Sequence, residues 1–187
     1  MTEINSSTAL LLIDVQKGFD EPRWGRRNND GAEENMHRLL GAWRDTGLPV
    51  IHVRHMSTTP GSSLAPGQPG NEIKALVAPR EGETVVEKNV NSAFIGTNLQ
   101  ALLDERGIRT LVTTGLTTNH CVSTTARMSA NLGYDTIVVS DACATFDVKT
   151  PDGRTIPAET MHEVGLAELR GEFAAIETTD EVLRRIK

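Results

Sequence analysis

Three residues of this chain combine a reactive side chain with a position that could use it. Cys121 follows Thr110–Thr114 (TLVTT), a β-branched, apolar run without helical period, after a break at Gly115. Thr117, Thr118 and Asn119 precede the cysteine and offer N-cap side chains, so the spacing predicts Cys121 in the first turn of a helix. Unpaired N–H groups and a positive partial charge at such a terminus favour a thiolate and could hold an oxyanion. A thiol there is expected to fall below its usual value of about 8.5. The plainer reading is a buried, inert cysteine that packs as a small hydrophobe.

Asp14 interrupts the apolar run Ala9–Val15 (ALLLIDV) near its carboxyl end, and Lys88 follows the short strand Thr84–Glu87. A carboxylate in such a run is costly to bury unless it is paired, although a lone Asp at a strand end is usually emerging into a loop. Together the three could act as a nucleophilic set. Asp14 takes or shares the thiol proton, Lys88 supports the thiolate, and the cysteine attacks a carbonyl. No catalytic histidine is then required. His52 and His55 flank the start of a loop, but no Asp, Glu or third His stands at useful spacing, so the expectation is pocket-lining histidines and no metal site.

The elements that must position these residues alternate. Predicted strands are Ala9–Val15, Leu48–Arg54, Thr84–Glu87, Thr110–Thr114, Tyr134–Ser140 and Phe173–Glu177. Between them, Asp30 with Glu33 reads as a capping box ahead of Met36, Leu39, Leu40 and Trp43 at helical spacing. Thr97 with Gln100 reads as a second box ahead of Leu99, Leu102 and Leu103, and Thr178 with Glu181 as a third. Val122, Ala126, Ser129 and Ala130 form a small-residue stripe behind Cys121, closed by Gly133, and Pro157 opens a helix with Met161, Val164 and Leu169. Lys17–Asn29, Met56–Asn71 and Asp141–Arg154 read as long loops, and the second is rich enough in Pro, Gly and Ser to shape a site or interface. Strand–helix alternation means a six-stranded, mainly parallel sheet in a three-layer α/β/α sandwich, read as one domain over residues 1–187. Ligands bind at the carboxyl edge of such sheets, where Asp14, Lys88 and Cys121 would all lie. No glycine-rich phosphate loop follows the first strand, which counts against a nucleotide cofactor.

Net charge is −6, from 19 Lys plus Arg against 25 Asp plus Glu, with no long run of one sign. That argues against nucleic acid and anionic membrane as partners. Two cysteines, Cys121 and Cys143, make no metal spacing or disulfide framework, and no segment has the length of a membrane span or the pattern of a signal peptide. A cytoplasmic location is the expectation.

Three segments carry a resemblance: LLLIDVQKGF at Leu10–Phe19, VVEKNVNSAF at Val85–Phe94 and TTGLTTNHCVSTTA at Thr113–Ala126. In this order they resemble the signature segments of the isochorismatase-like cysteine hydrolases, and the likeness extends to SDACATFD at Ser140–Asp147. The resemblance implies a catalytic triad at Asp14, Lys88 and Cys121 and oxyanion donors at the backbone of Thr117 and Cys121. It also implies a non-proline cis peptide at Leu116–Thr117 and homodimers or homotetramers; no cofactor is expected. Phe19, Trp24 and Phe94, in or beside the motifs, are the expected pocket-lining residues, with core packing as the alternative. Nicotinamidase-type members carry an Asp-x-His plus His metal site after the second strand; here that strand reads IHVRHMS, without the Asp. Members that hydrolyse a vinyl ether lack the nucleophilic cysteine. Cysteine hydrolysis of a small amide through a thioester is therefore expected. Vinyl-ether hydrolysis and a redox or binding protein using Cys121 with Cys143 are the alternatives.

Overall fold

In the computed structural model, which describes residues 3–186, β1 (Thr8–Ile13) lies fully buried at the centre of a six-stranded sheet. On one side of it stand β2 (Val50–His55) and β3 (Thr84–Lys88). On the other stand β4 (Thr110–Leu116), β5 (Asp135–Ala144) and the short last strand Ala175–Glu177. All five pairings are parallel. Chain order therefore runs outward from β1 in one direction and from β4 in the other, so the switch point lies between β1 and β4. That crevice is where parallel sheets of this kind place their ligands.

Successive side chains of β1 serve opposite faces. Leu10 and Leu12 join the cluster beneath α1 (Ala32–Asp45), with Met36, Leu39, Leu40 and Trp43. Ala9, Leu11 and Ile13 join the other, beneath α2 (Leu99–Glu105) and α3 (Ser123–Asn131), with Leu103, Val122 and Ala126. The second layer is completed by Leu169 of α4 (Ala158–Leu169) and the first by Val182 of α5 (Thr179–Leu183). Both faces are covered, which is why β1 reads as a continuous apolar run instead of an alternating one.

Three local expectations need correction. The Asp30–Glu33 box does not form: Gly31 is the N-cap, and Glu33 instead binds Arg27 at 2.6 Å and Lys74 at 2.7 Å. The Thr97–Gln100 box does not form either. Asn98 caps α2, while the Thr97 hydroxyl donates to the Ala93 carbonyl at 2.6 Å. Only Thr178–Glu181 closes as a reciprocal box. β5 also outruns its predicted end at Ser140, because Ala142, Cys143 and Ala144 are fully buried and the last two pair onward with Gly115 and Leu116 after a register shift. The hairpin β6 (Val148–Lys149) with β7 (Thr155–Ile156) occupies the rest of the predicted Asp141–Arg154 loop and the two residues beyond it.

That shift depends on Gly115. Its φ is +128°, and a Cβ there would stand 2.1 Å from the Ile13 carbonyl oxygen. A glycine lets the end of β4 press directly on the end of β1, one residue before Asp14.

Candidate active site

Asp14 leaves β1 with φ +52°, a left-handed conformation that an aspartate tolerates better than most residues. The turn points its carboxylate back over the sheet edge, while its N–H donates to the Val53 carbonyl at 2.9 Å. Lys88 ends β3, two strands away, with His55 of β2 as its register partner in between. The long lysine side chain reaches over the end of β2 and donates to Asp14 Oδ2 at 2.7 Å. Both side chains are fully buried. The same Nζ lies 3.4 Å from Cys121 Sγ and 3.0 Å from His55 Nδ1.

Cys121 does not sit in an ordinary first helical turn. Thr118–Val122 is one turn of π-helix, in which the Val122 N–H reaches back to the Thr117 carbonyl at 3.3 Å, and α3 begins only at Ser123. Such one-turn π segments recur at functional sites. The predicted capping side chains are used elsewhere. Thr117 pairs with His120 Nδ1 at 3.3 Å, Thr118 with the buried His162 at 2.8 Å, and Asn119 accepts from Thr145 at 2.5 Å. The Leu116–Thr117 peptide is cis.

The expectation of an acidified thiol is overturned. Burial pushes Cys121 up to about 12, the Asp14 charge adds to the rise, and the Lys88 ammonium offsets only part of it. Burial also raises Asp14 above the ordinary carboxylate range, with Lys88 opposing. Asp14 Oδ1 is buried without a hydrogen-bond partner among the described residues. The arrangement thus holds a protonated thiol beside a basic, half-satisfied carboxylate. A free thiolate on a thiol raised in this way by burial would be costly. Direct transfer of the thiol proton to Asp14 during attack avoids forming that isolated anion, so a coupled step is favoured over a standing thiolate.

Asp14, His55 and Cys121 also present ligand-type atoms within 4.8 Å of one another, a set of the kind that binds metal ions. The Lys88 ammonium contacts all three side chains and so fills the cation position among them. His52, the other histidine of that strand, turns instead to Glu83 at 2.9 Å.

A cavity of about 140 Å³ opens onto these groups, lined by Asp14, Phe19, Trp24, His55, Leu64, Asn91, Thr117, His120 and Cys121. Phe19 and Trp24 stand in its wall with ring centroids 4.9 Å apart, backed by Phe146 at 5.5 Å from Trp24. Trp24 is further held by its indole N–H on the Gly18 carbonyl at 2.8 Å. Phe94 does not join them. It stacks on Tyr134 at 5.9 Å within the apolar cluster, so its packing alternative holds. A larger hollow of about 500 Å³ lies along Tyr134–Ile137 and Gly171–Ala175 and touches none of the three reactive residues.

Sequence reasoning passed over Asn91, Leu64 and Phe146. Asn91 Nδ2 stands 3.5 Å from Cys121 Sγ, and its place inside VVEKNVNSAF, three residues after Lys88, was a signal for it. Leu64 comes from the Pro-Gly loop and had no local signal, while Phe146 stood within SDACATFD.

A family model for the isochorismatase domain matches residues 8–181. The chain is 49% identical to the isochorismatase family protein YrdC of Bacillus subtilis over 175 residues, 94% of each chain. It superposes on the crystal structure of an isochorismatase-family protein from Chromobacterium violaceum with a TM-score of 0.94 and 44% identity, covering 99% of this chain and 96% of that one. A more distant relative, maleamate amidohydrolase of Pseudomonas putida, is 26% identical over 96% of this chain and 86% of its own length.

Proposed function

Because the chain belongs to the isochorismatase family and is one of its hydrolases, we propose that it cleaves the C–N bond of a small amide through a thioester on Cys121. The observation that carries this reading is the contact set around one ammonium. Lys88 Nζ touches Asp14 Oδ2 at 2.7 Å and Cys121 Sγ at 3.4 Å, and the last two residues line a cavity of about 140 Å³. Vinyl-ether hydrolysis needs a proton donor but no nucleophile, and nothing in that chemistry calls for a thiol in this place. The name of maleamate amidohydrolase supports an amide as the bond type.

In this reading Asp14 Oδ1 removes the thiol proton as sulfur attacks the carbonyl carbon. The oxyanion is held by the backbone N–H groups of Thr117 and Cys121. Asp14 then returns the proton to the departing nitrogen, an amine leaves, and the thioester remains. Water enters, Asp14 takes one of its protons, hydroxide adds to the thioester, and the acid and the thiol are regenerated. Lys88 keeps Asp14 fixed and limits the charge that builds up at each stage. A cavity this small, walled by Phe19 and Trp24, suits a compact substrate with a flat, carbonyl-rich acyl group.

Two substitutions test it. Cys121→Ala and Asp14→Asn should each remove nearly all turnover, measured as ammonia released from a panel of small primary amides, ureides and carbamoyl compounds. Wild-type protein quenched with a slow amide should carry an acyl adduct on Cys121 by mass spectrometry. If Cys121→Ala keeps most of its activity while Asp14→Asn is dead, the vinyl-ether alternative replaces this reading.

A further inference from the structure

Lys88 carries three ammonium protons, and two go to the groups expected from the sequence. The third faces His55 Nδ1 at 3.0 Å. An ammonium only donates, so Nδ1 must be the accepting nitrogen, and the proton of the neutral ring must then lie on Nε2. The backbone that carries His55 is fixed. Its N–H donates to Gln16 Oε1 at 2.8 Å, and its carbonyl accepts from Gln16 Nε2 at 3.0 Å and Asn71 Nδ2 at 2.8 Å. Gln16 and Asn71 are themselves buried, so the backbone beneath the ring is pinned from two loops.

His55 also lines two spaces. One is the cavity of about 140 Å³ over Cys121; the other is an outer hollow of about 440 Å³ bordered by Ser57, Thr59 and Ser62. Trp24, His55 and Leu64 belong to both, and so stand where the two spaces adjoin. Of these three, only His55 brings a side-chain donor without a protein partner among the described residues, since the Trp24 indole N–H is already engaged.

We propose that His55 is a positioning and specificity residue: Nδ1 takes the third ammonium proton of Lys88, and Nε2–H is offered to a second acceptor atom on the substrate where the two cavities adjoin. The substrate class narrows accordingly, to amides whose acyl part carries a further carbonyl or carboxylate oxygen a few bonds from the scissile carbonyl. The titratable groups facing the ring are Lys88, Asp14 and Cys121, with His120 across the cavity and Arg23 at the outer hollow. Burial and the Lys88 charge both lower the basicity of His55, with Asp14 opposing, so the ring stays neutral at physiological pH.

The first half of this proposal is independent of the amide reading, and only the second half rests on it. Long-range proton–nitrogen NMR of the imidazoles, with His55 assigned from the His55→Gln spectrum, should show the neutral Nε2–H form at pH 7. An Nδ1–H form or a cation there would overturn the proposal. For the substrate half, His55→Asn keeps an acceptor near Nδ1 and loses the outer donor, while His55→Gln keeps a donor near Nε2 and loses the inner acceptor. With succinamate as probe, Asn should raise KM about tenfold or more with little change in kcat, and Gln should do the reverse. Butyramide, which lacks the second acceptor, should not see the Asn effect. Equal losses in both variants, or a fall in melting temperature alone, would reduce His55 to a structural role and overturn the assignment. If wild type releases ammonia from neither amide, protection of Cys121 against iodoacetamide decides. Succinamate should protect better than butyramide, and His55→Asn should abolish the difference; equal protection by both refutes the substrate half without touching the tautomer.

Discussion

Replacing Asp14 by Asn should make Cys121 more acidic while abolishing turnover. Burial first, and then the Asp14 charge, push the thiol up to about 12. Burial survives the substitution and the charge does not. The reacting atoms lie within 4.8 Å, and at an effective dielectric of about 20 one unit charge at that distance is worth roughly 3 kcal/mol, or about two pH units. The alkylation midpoint of Cys121 should therefore fall from about 12 towards about 10. Cys143, raised to about 12 mainly by its own burial, is an internal control that should not move. The same substitution leaves Lys88 buried without its counter-charge, which costs roughly 3 to 5 kcal/mol. For a chain of this size, that is a fall of about 6 to 20 °C in melting temperature. Adding Lys88→Met should recover much of the loss, because the pair is then removed and not broken. The assay is alkylation by iodoacetamide across pH, read at each cysteine by peptide mass spectrometry, below the variant's melting range. A midpoint that stays or rises would refute the account of Asp14 as the charged base beside a neutral thiol.

Other outcomes follow from single residues. Glu33 is pushed up by burial but brought down to about 2 by hydrogen bonds from Arg27 and Lys74. A carboxylate lowered from 4.5 contributes stability that is present above pH 4.5 and lost as pH falls towards 2, on the order of 3 kcal/mol at most before solvent screening. Glu33→Gln should therefore flatten the acid limb of a urea-stability profile between those values, and an unchanged limb would contradict the assignment. Gly115→Ala should prevent normal folding, since its Cβ would meet backbone of Ile13 at 2.1 Å. Gly41→Ala, within α1 with nothing inside 4 Å, should instead stabilise by up to about 1 kcal/mol in thermal melts. Comparable melting temperatures for those two variants would remove Gly115 from its role in seating β4 against β1.

What could be read from the sequence was whatever one strand or one motif contains. The six strands, their parallel alternation and the placement of Asp14, Lys88 and Cys121 at strand ends all follow from local runs, because a doubly covered strand is apolar throughout. The failures are of one kind: they depend on what approaches from another element. Glu33 could cap its own helix, but Arg27 and Lys74 compete for its carboxylate, and two charge-assisted bonds outweigh one cap. The Cys121 thiol was judged from its helix terminus and from the full charge of Lys88. Once Lys88 spends its charge on Asp14 at 2.7 Å, the thiol meets a nearly neutral ion pair in a buried site. Burial then decides the direction, and the thiol proton has to pass to Asp14 during attack. His55, read as a pocket-lining histidine, does line the cavity, but its contact with Lys88 was not legible. No metal-type partner stands near it in the sequence, and the sheet alone brings its ring between β1 and β3. There it meets an ammonium, which uses up one ring nitrogen and frees the other to point a proton at the substrate.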